Sequence, residues 1–153
     1  MRVRDLLSKK GSTVITIEPD QKVGTAVRLL MEHDIGGLPV ASGPKDLLGF
    51  LAERDIVRLA DLSFEPIREM PVRQAMRRPA PVCSTDDSLR DVMSRMTRER
   101  VRHLVALDAG RIAGVVSVGD LLKERLEELE TEAGVLRDYV AARRAVTPRR
   151  AGR

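Results

Sequence analysis

The chain has 153 residues, of which 42% are hydrophobic and 33% charged, a composition typical of soluble globular proteins. Only 2% are aromatic and none is tryptophan, so the core must be aliphatic, and a base-stacking surface for single-stranded nucleic acid is disfavoured. The net charge is +4, but residues 143–153 hold five arginines and no acid. The rest of the chain is nearly neutral, which gives little support for nucleic acid or an anionic membrane as a partner.

The inventory of cysteine and histidine narrows the chemistry further. The single cysteine, Cys83, excludes an intrachain disulfide and lies in an apolar run, so we expect a buried core thiol. His33 and His103 are isolated and no cysteine pair exists, so no metal site is predicted. The N-terminus lacks an apolar signal region and no apolar run has membrane-spanning length. We therefore expect a cytoplasmic protein without a membrane partner.

Two helices with the same apolar stripe indicate an internal repeat. The first stripe has the i, i+3, i+4, i+7, i+8 spacing of an amphipathic helix and consists of Val23, Ala26, Val27, Leu30 and Met31. Its first four positions recur at a constant offset as Leu89, Val92, Met93 and Met96. Turn and N-cap chemistry precedes each helix, with Pro19-Asp20 in the first copy and Thr85-Asp86 in the second.

Each helix is followed by two β-prone runs and a second helix. The first pair of strands is predicted over residues 35–40 and 47–51, and the second pair over 101–107 and 112–117. The following helices begin near Arg54 and Val118. Leading segments also match, residues 3–7 against 72–76. The chain therefore reads as a tandem repeat of a β-α-β-β-α unit, whose halves must bury their sheets against each other.

The stretch 114–120 and its imperfect copy, 49–55, carry the chemistry. In the later copy an apolar strand ends at Ser117, and Asp120 lies in the first turn of the next helix. Two interpretations stay open. Ser117 and Asp120 form a capping box that needs no ligand. Alternatively, the helix N-terminus and hydroxyl attract a phosphate while the carboxylate accepts from ribose hydroxyls, and Gly119 allows close approach.

The last helix carries a heptad pattern that the repeat does not require. Its a and d positions are spaced 4, 3, 4, 3, 4 and are Leu122, Leu126, Leu129, Ala133, Leu136 and Val140. Either this stripe packs back on its own domain, or it forms a contact between subunits. We favour the contact, because an apolar stripe of this length would otherwise be exposed. We therefore expect a homodimer, through residues 122–140.

The duplicated units resemble the cystathionine-β-synthase (CBS) domain pair, or Bateman module, of bacterial stand-alone proteins. Each unit has Gly, two apolar residues, a hydroxyl position and an Asp three residues later, and residues 51–57, 101–104 and 116–120 are close to that family. The resemblance covers roughly residues 1–125. It implies an α/β (α+β) fold, with two βαββα units packed sheet to sheet about a pseudo-twofold axis, plus the long C-terminal helix.

The resemblance also implies a regulatory module that binds AMP, ADP, ATP, NAD or S-adenosylmethionine in clefts between the units, and often disk-like dimers. One cleft would combine Asp120, Ser117 and Gly119 with Thr13, Val14, Ile35, Gly36 and Gly37. The other would combine Asp55 and Arg54 with Ala80, Val101, Arg102 and His103.

The first motif departs from the family pattern at Ala52, where the hydroxyl is missing. This removes a phosphate donor and an N-cap, so we expect the Asp55 cleft, which has the cations, to prefer a more anionic ligand. No catalytic constellation is present, and we expect a nucleotide sensor that signals to an unidentified protein effector, with no catalytic cofactor. The alternative is a ligand-independent dimeric adaptor whose motifs only cap helices.

The predicted boundaries follow from the repeat. We assign residues 1–62 to the first CBS unit, 63–71 to a linker and 72–125 to the second unit. Residues 126–142 form the helical extension, and residues 143–153 are a basic, disordered tail.

Overall fold

The computed structural model describes residues 1–11, 13–63 and 65–146. In chain order the elements are α1 (Val3–Lys10), α2 (Val23–Glu32), β1 (Gly37–Gly43), β2 (Asp46–Ala52), α3 (Glu53–Leu62), a 3₁₀ turn (Ile67–Glu69), α4 (Val72–Ala75), β3 (Val82–Ser84), α5 (Leu89–Glu99), β4 (His103–Asp108), β5 (Arg111–Ser117) and α6 (Val118–Val146). The chain divides into a compact unit, Met1–Val118, and a C-terminal unit that begins at Gly119. The predicted mixed α/β fold with a long last helix is confirmed.

The two sheets repeat one topology with one difference. Strands β1 and β2 pair antiparallel, as do β4 and β5, while β3 runs parallel to β4. In the first half the strand equivalent to β3 is reduced to a single parallel bridge between Ile17 and Val40. The corresponding pair in the second half is Cys83 and Ala106, at the same offset along the chain. The parallel pairing that opens each half is therefore present in both, although in the first half it is only one residue pair long.

Several predicted boundaries are corrected by the structure. Strand β1 runs Gly37–Gly43, two residues later at its start than predicted, because Ile35 donates its N–H to the end of α2. The N-cap residues are Lys22 and Ser88, not the aspartates predicted at 20 and 86, and only Ser88 accepts a bond from the helix, at 3.1 Å from the Asp91 N–H.

The C-terminal boundary also moves. Helix α6 extends to Val146, so residues 143–146, predicted as part of the tail, are helical. The remaining residues of the predicted tail lie outside the described part of the chain.

The leading helix of each half packs on the other half. Val72 of α4 is fully buried in the core of the first half, and its N–H donates to the Gln21 carbonyl at 2.7 Å. Val3 of α1 is equally buried, and its N–H donates to the Asp87 carbonyl in the second half at 3.0 Å. The short helix after the linker therefore completes the first core, and the N-terminal helix attaches to the second half.

The halves meet where the two sheets face each other. Phe50 and Ala52 of β2 form one buried cluster with Val105 of β4, surrounded by partly buried aliphatic side chains from both sheets. Cys83 is buried as expected, and burial raises the pKa of its thiol to about 11. The cluster of Phe50, Ala52 and Val105 places the start of α3 beside the start of β4, and a cleft lies at that junction.

Candidate functional site

A cleft at the N-terminal end of α3 joins the two halves of the compact unit. The space in it that water-sized molecules can occupy is about 120 Å³, and the cleft is partly open to solvent. We call it the Arg54 cleft, and it is lined by Gly36, Phe50, Ala52, Glu53, Arg54, Arg77, Pro81, Val101, Arg102 and His103. Its walls come from α3, from the segment before β3 and from the start of β4.

The start of α3 is fixed by a carboxylate rather than by a hydroxyl. Asp55 is buried, and its Oδ2 accepts the Ala52 N–H at 2.9 Å, which satisfies a donor at the helix start. Its Oδ1 lies 3.5 Å from the Arg77 guanidinium, and the Asp55 side chain is only 7% exposed. In this conformation a ribose in the cleft would reach little of the carboxylate.

Arg77 is held by backbone pairing with β2. Phe50 and Arg77 exchange both of their N–H···O bonds, at 3.0 and 2.8 Å. A Cβ at Gly49 would lie 2.7 Å from the Arg77 carbonyl oxygen, so glycine is required for this approach. These contacts direct the Arg77 side chain to the cleft and to Asp55.

Two further arginines reach the cleft from opposite sides. The Arg54 guanidinium donates to the carbonyl of Arg100, at 3.1 Å, across the junction of the halves. Arg100 ends α5 in the left-handed conformation with φ 54°, which turns the chain towards β4. Arg102 is exposed at the start of that strand, and its carbonyl accepts the Val118 N–H at 3.0 Å.

The apolar wall of the cleft is a tilted pair of rings. The centroids of Phe50 and His103 lie 5.5 Å apart. A Cβ at Gly36 would lie 2.9 Å from His103 Nε2, so the imidazole occupies the space that any other residue would need. The Gly36 carbonyl accepts the Glu53 N–H at 3.1 Å, which ties this wall to α3.

The charges in the cleft favour an anion. Arg54, Arg77 and Arg102 converge there, against one exposed carboxylate, Glu53, and the buried Asp55. Guanidinium groups make bidentate, charge-assisted bonds to phosphate or carboxylate oxygens. The first turn of α3 adds the positive end of a helix dipole. Such a site can hold a phosphate group.

The structure brings together part of the predicted Asp55 set. Arg54, Val101, Arg102 and His103 line the cleft, while Asp55 lies behind it in the ion pair with Arg77. Ala80 packs against the core cluster, and its neighbour Pro81 takes the place in the wall.

The residues predicted for the other cleft are more dispersed. Thr13 is exposed and Val14 half-buried, in the segment between α1 and α2, and Ile35 packs against the first core. Gly36 lines the Arg54 cleft, and a Cβ at Gly37 would lie 2.5 Å from the Phe50 ring. Ser117 pairs with His103 at the end of β5. Because Gly119 and Asp120 begin the C-terminal unit, the Asp120 cleft stays a prediction.

Sequence reasoning missed Arg77. It follows a methionine in an irregular basic segment before β3, with no periodicity or motif to single it out. Its position depends on the long-range bridge to Phe50, which pattern alone does not show.

Metal and membrane features can be assessed for residues 1–11, 13–63 and 65–146. Within these ranges no three His, Cys, Asp or Glu side chains are grouped so that they could hold a metal ion. None of the helices there is both long and apolar enough to cross a membrane.

Both repeats match a known protein family. The sequence model of the CBS domain matches twice, over residues 3–61 and 72–127. Inosine-5'-monophosphate dehydrogenase of Methanocaldococcus jannaschii is 28% identical over 113 residues, which are 73% of this chain but only 22% of that protein. The match to that enzyme is thus confined to a small part of its length.

Solved structures match over most of this chain. The CBS-domain containing protein ATU1752 from Agrobacterium tumefaciens is 34% identical, with a TM-score of 0.77 over 82% of this chain and 99% of that one. A structure of CBSX2 in complex with AMP shares the fold, with a TM-score of 0.68 at 23% identity over 82% of this chain and 96% of that one.

Proposed function

The chain belongs to the CBS-domain family, and on that premise we propose that it is a non-enzymatic regulatory module that binds an adenosine-containing ligand in the Arg54 cleft. Ligand binding shifts its conformation or its dimer packing, and a protein effector senses the change. Such a shift requires that the ligand binds the two states with different affinity.

The convergence of three arginines from separate elements is the observation that carries this proposal. Arg54, Arg77 and Arg102 come from α3, from the segment before β3 and from the residue before β4. Arg54 donates to the Arg100 carbonyl, the backbone of Arg77 pairs with Phe50, and the Arg102 carbonyl accepts the Val118 N–H. Because both halves supply cations to one small volume, a bound anion stabilises their junction. This is the property expected of a ligand sensor.

The class of ligand follows from the family and from the charges. CBSX2 has been solved with AMP, so a chain of this fold can hold an adenine nucleotide. AMP, ADP, ATP, NAD and S-adenosylmethionine are all candidates. With three arginines and no hydroxyl at Ala52, the Arg54 cleft should prefer ligands with more phosphate groups. The Asp120 cleft, which has the hydroxyl and carboxylate, should discriminate less by charge.

Titration with ATP, AMP and adenosine tests the proposal. We expect Arg102→Gln to weaken ATP binding about tenfold, because it removes a charge-assisted contact to phosphate, and to weaken AMP binding less. Binding is measured by isothermal titration calorimetry and by the rise in Tm, since a ligand at 100 times its Kd stabilises the native state by about 2.7 kcal/mol.

Arg111→Gln is the matched control, because Arg111 is exposed at the start of β5 and does not line the cleft. This variant should bind ATP like the native chain. If Arg102→Gln weakens AMP and ATP equally, the preference for anionic ligands is refuted. If no adenosine compound binds or raises the Tm of the native chain, the sensor proposal itself fails.

One observation favours the adaptor as a second candidate. Asp55 already satisfies the start of α3 and faces Arg77, so its family position has a structural use without ligand. An adaptor would show no change in Tm with any of the five ligand types and would retain its partner binding in the Arg102→Gln variant.

We also propose that the module acts as a homodimer through residues 122–140 of α6. Of the six a and d side chains in this range, Leu122, Leu126, Leu129, Leu136 and Val140 are among the large apolar side chains exposed in the single chain. Burial of such a stripe against a second copy would remove it from water.

A further inference from the structure

The exposed face of α6 has the residue distribution of a two-stranded coiled coil. The helix is continuous over Val118–Val146, so the heptad pattern lies on one uninterrupted face. Leu126 is 61% exposed, Leu129 44% and Leu136 64%. All six a and d side chains, Ala133 included, are exposed in the single chain and form a continuous apolar seam.

The identity of the seam residues favours two parallel strands. All three d positions are leucine, at 122, 129 and 136, and leucine at d with a β-branched residue at a is typical of parallel dimers. The a positions are Leu126, Ala133 and Val140, of which only the last is β-branched. The small Ala133 in the middle allows the two helices to approach closely.

The flanking charges select the orientation. In a parallel, in-register pair each g residue faces the e residue five positions later on the partner helix. Arg125 at g then faces a second copy's Glu130, and Glu132 at g faces a second copy's Arg137. Both contacts occur twice by symmetry, and all four join opposite charges.

The antiparallel alternative brings like charges together. The antiparallel register that keeps all six layers pairs g with g and e with e. Glu132 then faces its own copy, as does Glu130, and Lys123 faces Arg137. Each of these contacts is repulsive. Three of the four side chains that stabilise the parallel pair, Glu130, Glu132 and Arg137, therefore oppose the antiparallel one.

We infer that α6 pairs with α6 of a second copy of this chain as a parallel, in-register coiled coil, with its e and g charges selecting that orientation. This inference rests on the proposed homodimer and specifies its geometry. It does not depend on which ligand the Arg54 cleft holds.

Disulfide trapping with single cysteines distinguishes the two orientations. We expect Leu129→Cys alone and Ala133→Cys alone each to form covalent dimers with oxidised glutathione, because identical layers face each other in a parallel pair. A mixture of the two variants should give no mixed dimer. The native chain is the control, since its Cys83 is buried.

In the antiparallel register residue 129 faces residue 133, so only the mixture would crosslink, and that result overturns the inference while leaving a dimer in place. A native chain that stays monomeric in sedimentation equilibrium overturns the dimer and the inference together. Neither result bears on ligand binding, which the calorimetry measures separately.

A charge exchange gives an independent measurement. We expect Glu130→Arg to raise the dimer Kd about fivefold to tenfold, because two opposite-charge contacts become repulsive. Adding Arg125→Glu should return the Kd to near the native value. The control is Glu127→Arg, which makes the same charge change at an exposed b position away from the seam. A double variant no tighter than the single one contradicts the parallel pairing.

Discussion

The pairing of Arg77 with Asp55 determines how much of each side chain is available to a ligand. The two groups are 3.5 Å apart, and the carboxylate also accepts the Ala52 N–H. A carboxylate has further lone pairs, but burial limits access to them. A phosphate that binds Arg77 would compete with Asp55 for the guanidinium.

Arg77→Met should weaken ATP binding about tenfold and leave adenosine binding nearly unchanged, because only the phosphate contact is lost. The free energy of unfolding should fall by about 1–3 kcal/mol, since the buried Asp55 loses its cationic partner. Calorimetry and urea unfolding measure the two effects.

Arg77→Lys is the matched variant, because it keeps the charge and loses the planar fork. It should lose less stability and less ATP affinity than Arg77→Met. Native-like ATP binding by Arg77→Met would show that the residue does not contact phosphate.

The last strand residues before α3 and α6, Ala52 and Ser117, differ by one hydroxyl group. At the start of α3 the N-cap is Ala52, which has no side-chain bond to offer the helix, whereas the equivalent position before α6 is Ser117. Asp55 supplies half of a capping box by accepting the Ala52 N–H. The missing half is an acceptor for the backbone N–H three residues later.

Ala52→Ser should complete this box and raise the free energy of unfolding by about 1 kcal/mol. Urea unfolding measures the gain. Ala60→Ser, on the exposed face of the same helix, is the control and should lower stability by about 0.5 kcal/mol through helix propensity. A loss at Ala52 comparable to that at Ala60 would mean that the hydroxyl does not cap the helix.

The sequence pattern was sufficient to predict the helices that depend only on apolar periodicity within one segment. The stripes at Val23 and Leu89 predicted the amphipathic helices α2 and α5, because a 3.6-residue period depends only on which face is buried. The N-caps were misplaced, since several turn residues precede each helix and tertiary contacts select one. Lys22, for example, becomes the N-cap where Met70 accepts the Val23 N–H.

The residues of the candidate site also divide into those that the sequence predicted and those that depend on long-range contacts. The prediction of Arg54, Arg102 and His103 came from the family resemblance, and these residues do line one cleft. Arg77 was not found, and Gly36 was assigned to the other cleft, because both positions depend on contacts between segments far apart in sequence. Patterns specify elements well but do not specify which elements meet.

The exchange of leading helices makes the two halves of the compact unit depend on each other. Val72, in the second sequence repeat, belongs to the core of the first half with Leu38 and Leu51. Val3, in the first repeat, is buried beside the backbone of the second half. The sequence repeats and the structural halves therefore do not coincide.

Val72→Ala should lower the free energy of unfolding by about 1–3 kcal/mol and accelerate amide exchange first in β1 and β2. Val3→Ala should cost a similar amount and act first on β4 and β5. Hydrogen exchange followed by mass spectrometry measures both variants.

The two valines are controls for each other, since the residue type, the burial and the substitution are the same. If each variant instead destabilises the strands of its own sequence repeat, the exchange does not govern the stability of the halves.

One backbone hydrogen bond connects the Arg54 cleft to the first residue of α6. The Arg102 carbonyl accepts the N–H of Val118, the first residue of α6, so a residue of the cleft is hydrogen-bonded to the residue at which the last helix begins. The helix has 29 residues, and at 1.5 Å per residue it is a rod about 43 Å long. A partner that binds along this helix therefore has one continuous surface, about 43 Å long, available to it.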